Sequence, residues 1–338
     1  MQTTLAGLAD SPALYPLKLD LGRAEVLFLT LSQGDYRQAS FLDDRLLTPD
    51  TPVCWERLDD VAQAMASPPA GRPLHFIFHS GHVGSTLLSR LLDEVEGVLS
   101  LREPAPLRTL AEASDAARPG LDESLETFLR LWERGFAATR AVVLKATSSA
   151  ARVAPRLLAQ RPHARAVCLN LPAEPYLATL LAGPHSQNDL NWHGAERLLR
   201  FKAFLGESNA SLGMMSLGDV AAMSWLVERL TQQRLRDGFG ERVLMLDFGT
   251  LLAAPGDAVS AVLAHFAIPE PPGHPQSVAQ SPVLTRYSKA PEHAYSTALR
   301  TRVLDEARRV HADEIRRGLH FLERLAARHK PVADVLRL

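Results

Sequence analysis

The segment from residue 80 to residue 86 combines glycines with hydroxyl side chains, between an apolar strand-like run and an amphipathic helical pattern. A glycine-rich turn lets backbone amides converge, and the helix after it presents unpaired N–H groups and a partial positive charge. We predict that Ser85 and Thr86 cap that helix and add hydroxyl donors. The segment therefore predicts a cradle for a phosphate group, with an ordinary corner whose glycines serve packing as the alternative. The residues of this cradle are Ser80, Gly81, His82, Val83, Gly84, Ser85 and Thr86.

Two charged residues follow other strand-like runs. Glu103 comes just after GVLSL (97–101), and Lys145 ends AVVLK (141–145). The carboxyl ends of parallel strands face a common ligand crevice. A carboxylate there can take a proton from a hydroxyl or an amine, and an ammonium group can stabilise charge on a transferring group. The alternatives for Glu103 are a surface pair with Arg102 or a charge at a helix start before Pro104, and the alternative for Lys145 is an ammonium group that reaches solvent.

His82 is a third candidate catalytic residue because it lies within the cradle. Its imidazole carries a charge at neutral pH only if a bound phosphate raises its pKa, so charge neutralisation by His82 would depend on pH. The alternative is a loop histidine that forms hydrogen bonds with the backbone.

The composition excludes several classes of protein. The 338 residues include 37 Lys and Arg and 38 Asp and Glu, for a net charge of −1, so no overall basic field predicts a nucleic-acid partner. Cys54 and Cys168 are too few for a disulfide framework or a cysteine metal site, and the histidines lack the spacing of a zinc motif. We therefore expect no metal. The first residues do not resemble a signal peptide, and no apolar run is long enough for a membrane helix. These observations predict a soluble, cytoplasmic protein and leave a homo-oligomer open.

Strand-like runs alternate with helical patterns from residue 74 onward. The runs lack polar alternation, as expected of strands buried on both faces. This order predicts a three-layer α/β fold with a parallel sheet between helices. We expect residues 71–338 to form that domain and residues 1–70, with a strand at 25–31 and a later helix, to form an α+β appendage or lid. Residues 183–217 either determine the specificity for the acceptor or form a structural connection between two strands of the sheet. The predicted strands of the domain are 74–79, 97–101, 141–145, 164–171 and 242–248.

The cradle is not a Walker A loop, because no lysine precedes Ser85. The text SGHVGSTLLSRLL instead resembles the 5′-phosphosulfate loop of P-loop sulfotransferases of bacterial type. The resemblance continues in order through GVLSLREP, AVVLKATS and RVLMLDFGTLLAAPGDAV, over about residues 74–270. It implies 3′-phosphoadenylyl sulfate as the donor, a sulfuryl transfer to a hydroxyl or an amine of a small-molecule or biopolymer acceptor, and no metal. By resemblance, Glu103 is the base and His82 stands where these enzymes usually have a permanent cation.

The chain departs from this family where the donor's 3′-phosphate is held. In the matching stretch CLNLPAEPYLAT, Asn170 takes the position of an arginine and Ala178 that of a serine. A phosphate without these partners loses charge-assisted hydrogen bonds worth roughly 1.5–3 kcal/mol each. We expect Arg286 and Lys289, in a late basic segment, to replace them, with a solvent-exposed basic turn as the equal alternative.

Two other functions remain open at this stage. One is a nucleotide-dependent phosphotransferase, for which Asp247 is the only good candidate Mg²⁺ ligand at a strand end. The other is a non-catalytic nucleotide-binding or partner protein on the same fold, which fold alone does not exclude.

Overall fold

The computed structural model of the protein describes residue 5 and residues 7–67 and 70–337. The strands are β1 Leu14–Asp20, β2 Glu25–Thr30, β3 Val53–Arg57, β4 Leu74–His79, β5 Val98–Arg102, β6 Ala141–Lys145, β7 Ala166–Asn170, β8 Val243–Asp247, β9 Arg286–Tyr287 and β10 Ala290–Ala294. The helices are α1 Gln33–Gln38, α2 Leu58–Ala64, α3 Ser85–Asp93, α4 Ala105–Asp115, α5 Leu121–Trp132, α6 Ala154–Gln160, α7 Ala173–Leu181, α8 Pro184–Leu205, α9 Leu217–Phe239, α10 Phe248–Ala253, α11 Pro255–Phe266, α12 His274–Ala279, α13 Thr297–Val310, α14 Ala312–Ala326 and α15 Lys330–Leu336.

Strands β4 to β8 form one parallel sheet in the order β5-β6-β4-β7-β8. Their bounds agree with the predicted runs within two residues, and the predicted α/β class is confirmed. The direction in which strands are added reverses at β4. The strand β6 pairs with one edge of β4, and β7, the next strand along the chain, pairs with the other edge. In such sheets the crevice at the carboxyl ends of the strands, at this point of reversal, is where ligands bind.

Helices cover both faces of the sheet, as the three-layer prediction requires. Along β4, Ile77 packs on one face with Leu88 of α3 and Leu226 of α9. Phe76, on the opposite face, packs with Phe128 of α5. All six residues of β4 are buried, which explains why this strand lacks polar alternation.

The N-terminal residues form a second, antiparallel sheet in the order β1-β2-β3. The strand β2 was predicted, whereas β3 was not. Buried residues of this sheet, such as Phe28, share one hydrophobic core with the α5 side of the parallel sheet. The buried guanidinium of Arg102 also donates hydrogen bonds to the carbonyls of Tyr36 (2.8 Å) and Ala39 (2.7 Å). The division of the chain at residue 70 stays a prediction.

The segment 183–217 contains the long helix α8, which the sequence did not predict. The helix is held against α9 through ion pairs, because Arg197 and Arg200 both contact Glu228 of α9 (3.4 and 2.7 Å). Charged residues therefore occupy positions on α8 that face α9. An apolar stripe at these positions would have predicted the helix from the sequence. The helix ends at Gly206, whose φ of +71° is left-handed.

Candidate functional site

The phosphate loop, residues 80–86, connects the end of β4 to the start of α3. Three of its residues have positive φ, namely Gly81 (+91°), His82 (+54°) and Gly84 (+73°). Left-handed residues in a loop turn successive N–H groups toward one concave side. The first hydrogen bond of the helix runs from Leu88 N–H to the carbonyl of Gly84 (3.0 Å). The N–H groups of the first turn of α3 are therefore available to an anion.

The hydroxyl groups of the loop are available for a ligand, although not as capping groups. Gly84 is the N-cap of α3 and no side chain caps it, so the prediction that Ser85 and Thr86 cap the helix is wrong. Among the described residues, the buried hydroxyls of Ser80 and Thr86 have no hydrogen-bond partner. A buried hydroxyl without a partner costs free energy, which a bound oxyanion would recover.

His79 and Tyr176 fix the shape of the loop. Gly81 N–H donates to His79 Nδ1 (3.0 Å), so Nε2 carries the proton and donates to the carbonyl of Ala146 (2.8 Å). Burial, together with the charge of Lys145, lowers the pKa of His79 to about 3, which keeps it neutral. Tyr176 Oη donates to the carbonyl of Ser80 (2.7 Å). The loop is therefore held from two sides by neutral groups.

Glu103 and Lys145 meet at the same edge of the sheet. Lys145 is fully buried at the end of β6 and forms an ion pair with Glu103. Thr147 Oγ1 donates to the other carboxylate oxygen (3.3 Å), and Glu103 itself has a left-handed φ of +54°. A Glu103–Arg102 pair and a solvent-exposed Lys145 are wrong, because Arg102 pairs with the buried Asp93 and the ammonium group of Lys145 does not reach solvent. Glu103 does precede a helix start, since Pro104 is the N-cap of α4.

The pKa values of Glu103 and Lys145 determine the protonation state of the pair. Burial favours a raised pKa for Glu103, but Lys145, His79 and Lys289 together lower it to about 2. Burial lowers the pKa of Lys145 to about 8, and Glu103 only partly opposes that shift. The pair is therefore ionic at neutral pH, and Lys145 loses its charge as the pH rises through about 8, whereas Glu103 stays ionised.

A cavity of about 430 Å³ opens beside the phosphate loop. The basic hairpin, which we define as residues 286–294, forms another of its walls, and α13 forms a third. The structure thus brings Arg286 and Lys289 to the same cavity as the phosphate loop. Neither side chain forms an ion pair within the part of the chain that the structure describes. The residues that line the cavity from the loop, the hairpin, α13 and the link between the last two include His82, Gly84, Ser85, Thr86, Arg286, Lys289, Tyr295 and Arg300.

Arg90 of α3 holds the basic hairpin in place. Its Nε donates to the carbonyl of Ser288 in the hairpin turn (2.7 Å), and its guanidinium also donates to Ser40 Oγ (2.8 Å). The half-buried side chain of Arg90 therefore connects the hairpin to the N-terminal segment.

Three cavity residues were missed from the sequence. The Phe248 ring lies against Gly84, and the Arg300 guanidinium lies 5.1 Å from the centre of that ring. Tyr295 Oη and one guanidinium nitrogen of Arg300 are buried without a partner among the described residues. Phe248 follows a strand end, the same signal that identified Glu103. Arg300, on α13, is half-buried.

The positions that depart from the family pattern do not line the cavity. Asn170 ends β7, and Ala178 is buried within α7, although its neighbour Thr179 does reach the cavity. Asp247 accepts a hydrogen bond from Thr250 N–H (3.1 Å) and caps α10. Within the described ranges, no group of three or more His, Cys, Asp or Glu residues is arranged to hold a metal ion. No helix described by the structure is long and apolar enough to cross a membrane.

No protein-family model and no curated protein sequence matches the chain. Solved structures to which it is similar include a sulfotransferase domain from the curacin biosynthetic pathway, with 15% identity over 67% of this chain and 84% of that chain and a TM-score of 0.41. Another is the sulfotransferase STF9 from Mycobacterium avium, with 12% identity over 83% and 92% and a TM-score of 0.40. A third is mouse sulfotransferase SULT7A1 complexed with PAP, with 8% identity over 82% and 93% and a TM-score of 0.42. At such identities a likeness concerns the fold alone, so a function has to be argued from the residues of this chain.

Proposed function

We propose that the protein binds 3′-phosphoadenylyl sulfate and transfers its sulfuryl group to a hydroxyl or an amine of an acceptor. The observation that carries this proposal is the meeting of three features at one sheet edge. These are a phosphate loop with free amides, a hairpin with two unpaired cations, and a buried carboxylate–ammonium pair. A donor with two separate phosphate groups and a reactive sulfate matches this distribution of charge.

The donor would lie across the cavity. The N–H groups at the start of α3 and the Thr86 hydroxyl would bind the 5′-phosphosulfate. Arg286 and Lys289 would bind the 3′-phosphate in place of the partners lacking at Asn170 and Ala178. Phe248 offers an aromatic surface for the adenine, and Arg300 offers a free donor beside it.

The transfer would use Glu103 and Lys145 in different roles. The acceptor oxygen or nitrogen forms a bond to sulfur, the bond from sulfur to the phosphate oxygen breaks, and that oxygen keeps the electron pair in adenosine 3′,5′-bisphosphate. The acceptor proton passes to Glu103. A weakly basic carboxylate suffices when the transition state is loose, because the acceptor proton becomes acidic only as its bond to sulfur forms. Lys145 and a charged His82 would stabilise the negative charge of the transferring group.

Calorimetric titration with adenosine 3′,5′-bisphosphate, AMP and ATP tests the donor site. We expect the bisphosphate to bind at least tenfold more tightly than AMP. Incubation of the protein with labelled 3′-phosphoadenylyl sulfate and a panel of phenols, alkanols and amines then tests transfer. Preference for ATP with Mg²⁺ over the bisphosphate would overturn the proposal in favour of a phosphotransferase. Bisphosphate binding without transfer to any acceptor in the panel would favour the non-catalytic nucleotide-binding role.

A further inference from the structure

His82 in the phosphate loop faces a carboxylate on a different element. Its Nε2 lies 4.0 Å from Oδ1 of Asp189 on α8, and its side chain is only 18% exposed. The left-handed φ of His82 directs the backbone through the loop while the imidazole remains beside α8. The contact therefore links the phosphate loop to α8, a helix that is part of neither the loop nor α3.

Asp189 is held in place by its second oxygen. Oδ2 accepts a hydrogen bond from Arg197 (2.6 Å), whose buried guanidinium also faces Glu228 of α9 at 3.4 Å. Oδ1 remains, and it lies 3.9 Å from His193 Nε2 as well as 4.0 Å from His82 Nε2. One fixed carboxylate oxygen thus lies between two imidazole groups.

Charges of both signs surround His82. Lys289 of the basic hairpin and Arg197 of α8 oppose its protonation, whereas Asp189 and Glu103 favour it. Burial decides the outcome and, with Lys289, lowers the pKa of His82 to about 4, so the imidazole is neutral at pH 7. A phosphate group within the cradle would add negative charge directly beside this ring. That added charge would raise the pKa of His82 and so favour the imidazolium.

We propose that binding of a nucleotide phosphate to the loop protonates His82, and that Asp189 is the positioning residue that makes this possible. The proposal rests on the proposed function in one respect, because it needs a phosphate to enter the cradle. Asp189 Oδ1 lies on the Nε2 side of the ring, where it would face the imidazolium once the ring is protonated. The loop then acquires its cation only when it is occupied, in contrast to an arginine or a lysine, which is charged in both states. Because proton uptake accompanies binding, affinity falls as the pH rises.

The test measures proton uptake rather than activity. Adenosine 3′,5′-bisphosphate is titrated calorimetrically at pH 6.5 in PIPES and in imidazole, whose ionisation enthalpies differ. The dependence of the binding enthalpy on the ionisation enthalpy gives the number of protons taken up. We expect the parent to take up close to one proton more than His82→Gln. Asp189→Asn should lose at least half of that difference, and His193→Gln, the matched control on the same carboxylate, should keep it.

Each outcome has a distinct meaning. If the parent and His82→Gln bind the bisphosphate with equal proton uptake, the inference is overturned and the proposed function stands. If the parent does not bind the bisphosphate at all, both are overturned. Equal uptake by Asp189→Asn and the parent would remove the role of Asp189.

Asp189→Asn also removes a partner of the buried Arg197, so the proposal needs a measurement that does not depend on the folding of this variant. The second measurement therefore follows the protonation of His82 in the parent protein. The imidazole resonances of the parent, assigned by comparison with His82→Gln, are followed by NMR with and without the bisphosphate. We expect the pKa of His82 to rise from about 4 to above 7 on binding. A pKa that stays below 6 in the bound protein would overturn the proposal.

Discussion

The ring of Phe248 lies so close to Gly84 that a Cβ at Gly84 would stand 2.0 Å from a ring carbon. Gly84 is the N-cap of α3, and Phe248 is the first residue after β8. Glycine is required here twice, because the backbone has a positive φ and because the ring occupies the space of a side chain. The start of α3 is thereby packed against the end of a strand at the edge of the sheet.

We expect Gly84→Ala to destabilise the fold and to abolish nucleotide binding. Gly120 is the matched control, since it is also a left-handed N-cap (φ +74°) but has open space around its Cα. Gly120→Ala should cost about 1 kcal/mol of unfolding free energy for backbone strain, and Gly84→Ala about 2 kcal/mol more because the ring must move. Urea unfolding measures both. Equal costs would show that the ring moves away freely, and recovery of stability in Gly84→Ala/Phe248→Ala would identify the clash as the cause.

Glu103→Gln should reduce both stability and turnover. The change leaves the fully buried ammonium group of Lys145 without its counter-charge, at a cost of about 3–5 kcal/mol in unfolding free energy. Sulfuryl transfer should fall by roughly 10²–10⁴-fold because the proton acceptor is lost. Glu103→Gln/Lys145→Met separates the two effects, since it should recover much of the stability and none of the turnover. Parental turnover in Glu103→Gln, once an acceptor is known, would place the base elsewhere.

The late cations should determine recognition of the 3′-phosphate. In Arg286→Ala/Lys289→Ala, the preference for adenosine 3′,5′-bisphosphate over AMP should fall from at least tenfold to less than threefold, because each charge-assisted bond is worth about 1.5–3 kcal/mol. The affinity for AMP should change little. Lys202→Ala, which removes a lysine from the last turn of α8, is the control. A preference that persists in the double variant would indicate that other groups hold the 3′-phosphate.

Arg300 should instead affect all adenine nucleotides alike. Its guanidinium lies over Phe248 and has a free donor within the cavity. Arg300→Met keeps the length of the side chain but removes the donors and the charge, so we expect affinity for AMP and for the bisphosphate to fall by the same factor of about 5–20. Arg302→Met, on the exposed side of α13, should leave both affinities unchanged. A selective loss of bisphosphate binding in Arg300→Met would move the 3′-phosphate site to α13.

Stability should decrease as the pH falls from 7 to 5.5. Burial lowers the pKa of His75 to about 4, that of His79 to about 3 and that of His82 to about 4, each from about 6.5. In this window the unfolded chain binds protons that the folded protein does not, so each histidine contributes up to about 1.4 kcal/mol of lost stability per pH unit. Urea unfolding of the parent and of His79→Gln at several pH values tests this expectation. The variant should have a shallower slope by about one proton, and an unchanged slope would show that His79 is not among the histidines that set the pH dependence.

The sequence predicted the central sheet well because its strands are short, apolar and buried on both faces. The same pattern brought Glu103 and Lys145 to one edge, since parallel strands end together. The helix α8 escaped prediction because its inward face is ionic, and β3 escaped because its residues alternate between exposed and half-buried positions next to a helix. The left-handed conformations of His82 and Glu103 could not be predicted either, because neither residue type requires a positive φ.

The cavity residues from the second half of the chain were only partly accessible to sequence reasoning. Arg286 and Lys289 were identified by charge and position in the chain. Arg300 was not, because its role depends on the approach of α13 to Phe248, a tertiary contact that helical periodicity does not record.

The bonds from Arg90 to Ser40 and to Ser288 have a consequence for how the protein acquires its cavity. Ser288 is 198 residues from Arg90 in the chain, and Ser40 is 50 residues away in the other direction. Contacts of such high contact order are favourable only after the intervening chain is ordered, so they form late on a folding pathway. The parallel sheet and α3 can therefore fold before the hairpin wall exists. A chain cut just before the hairpin would lose both the hairpin wall and α13, and with them the closed cavity beside the phosphate loop.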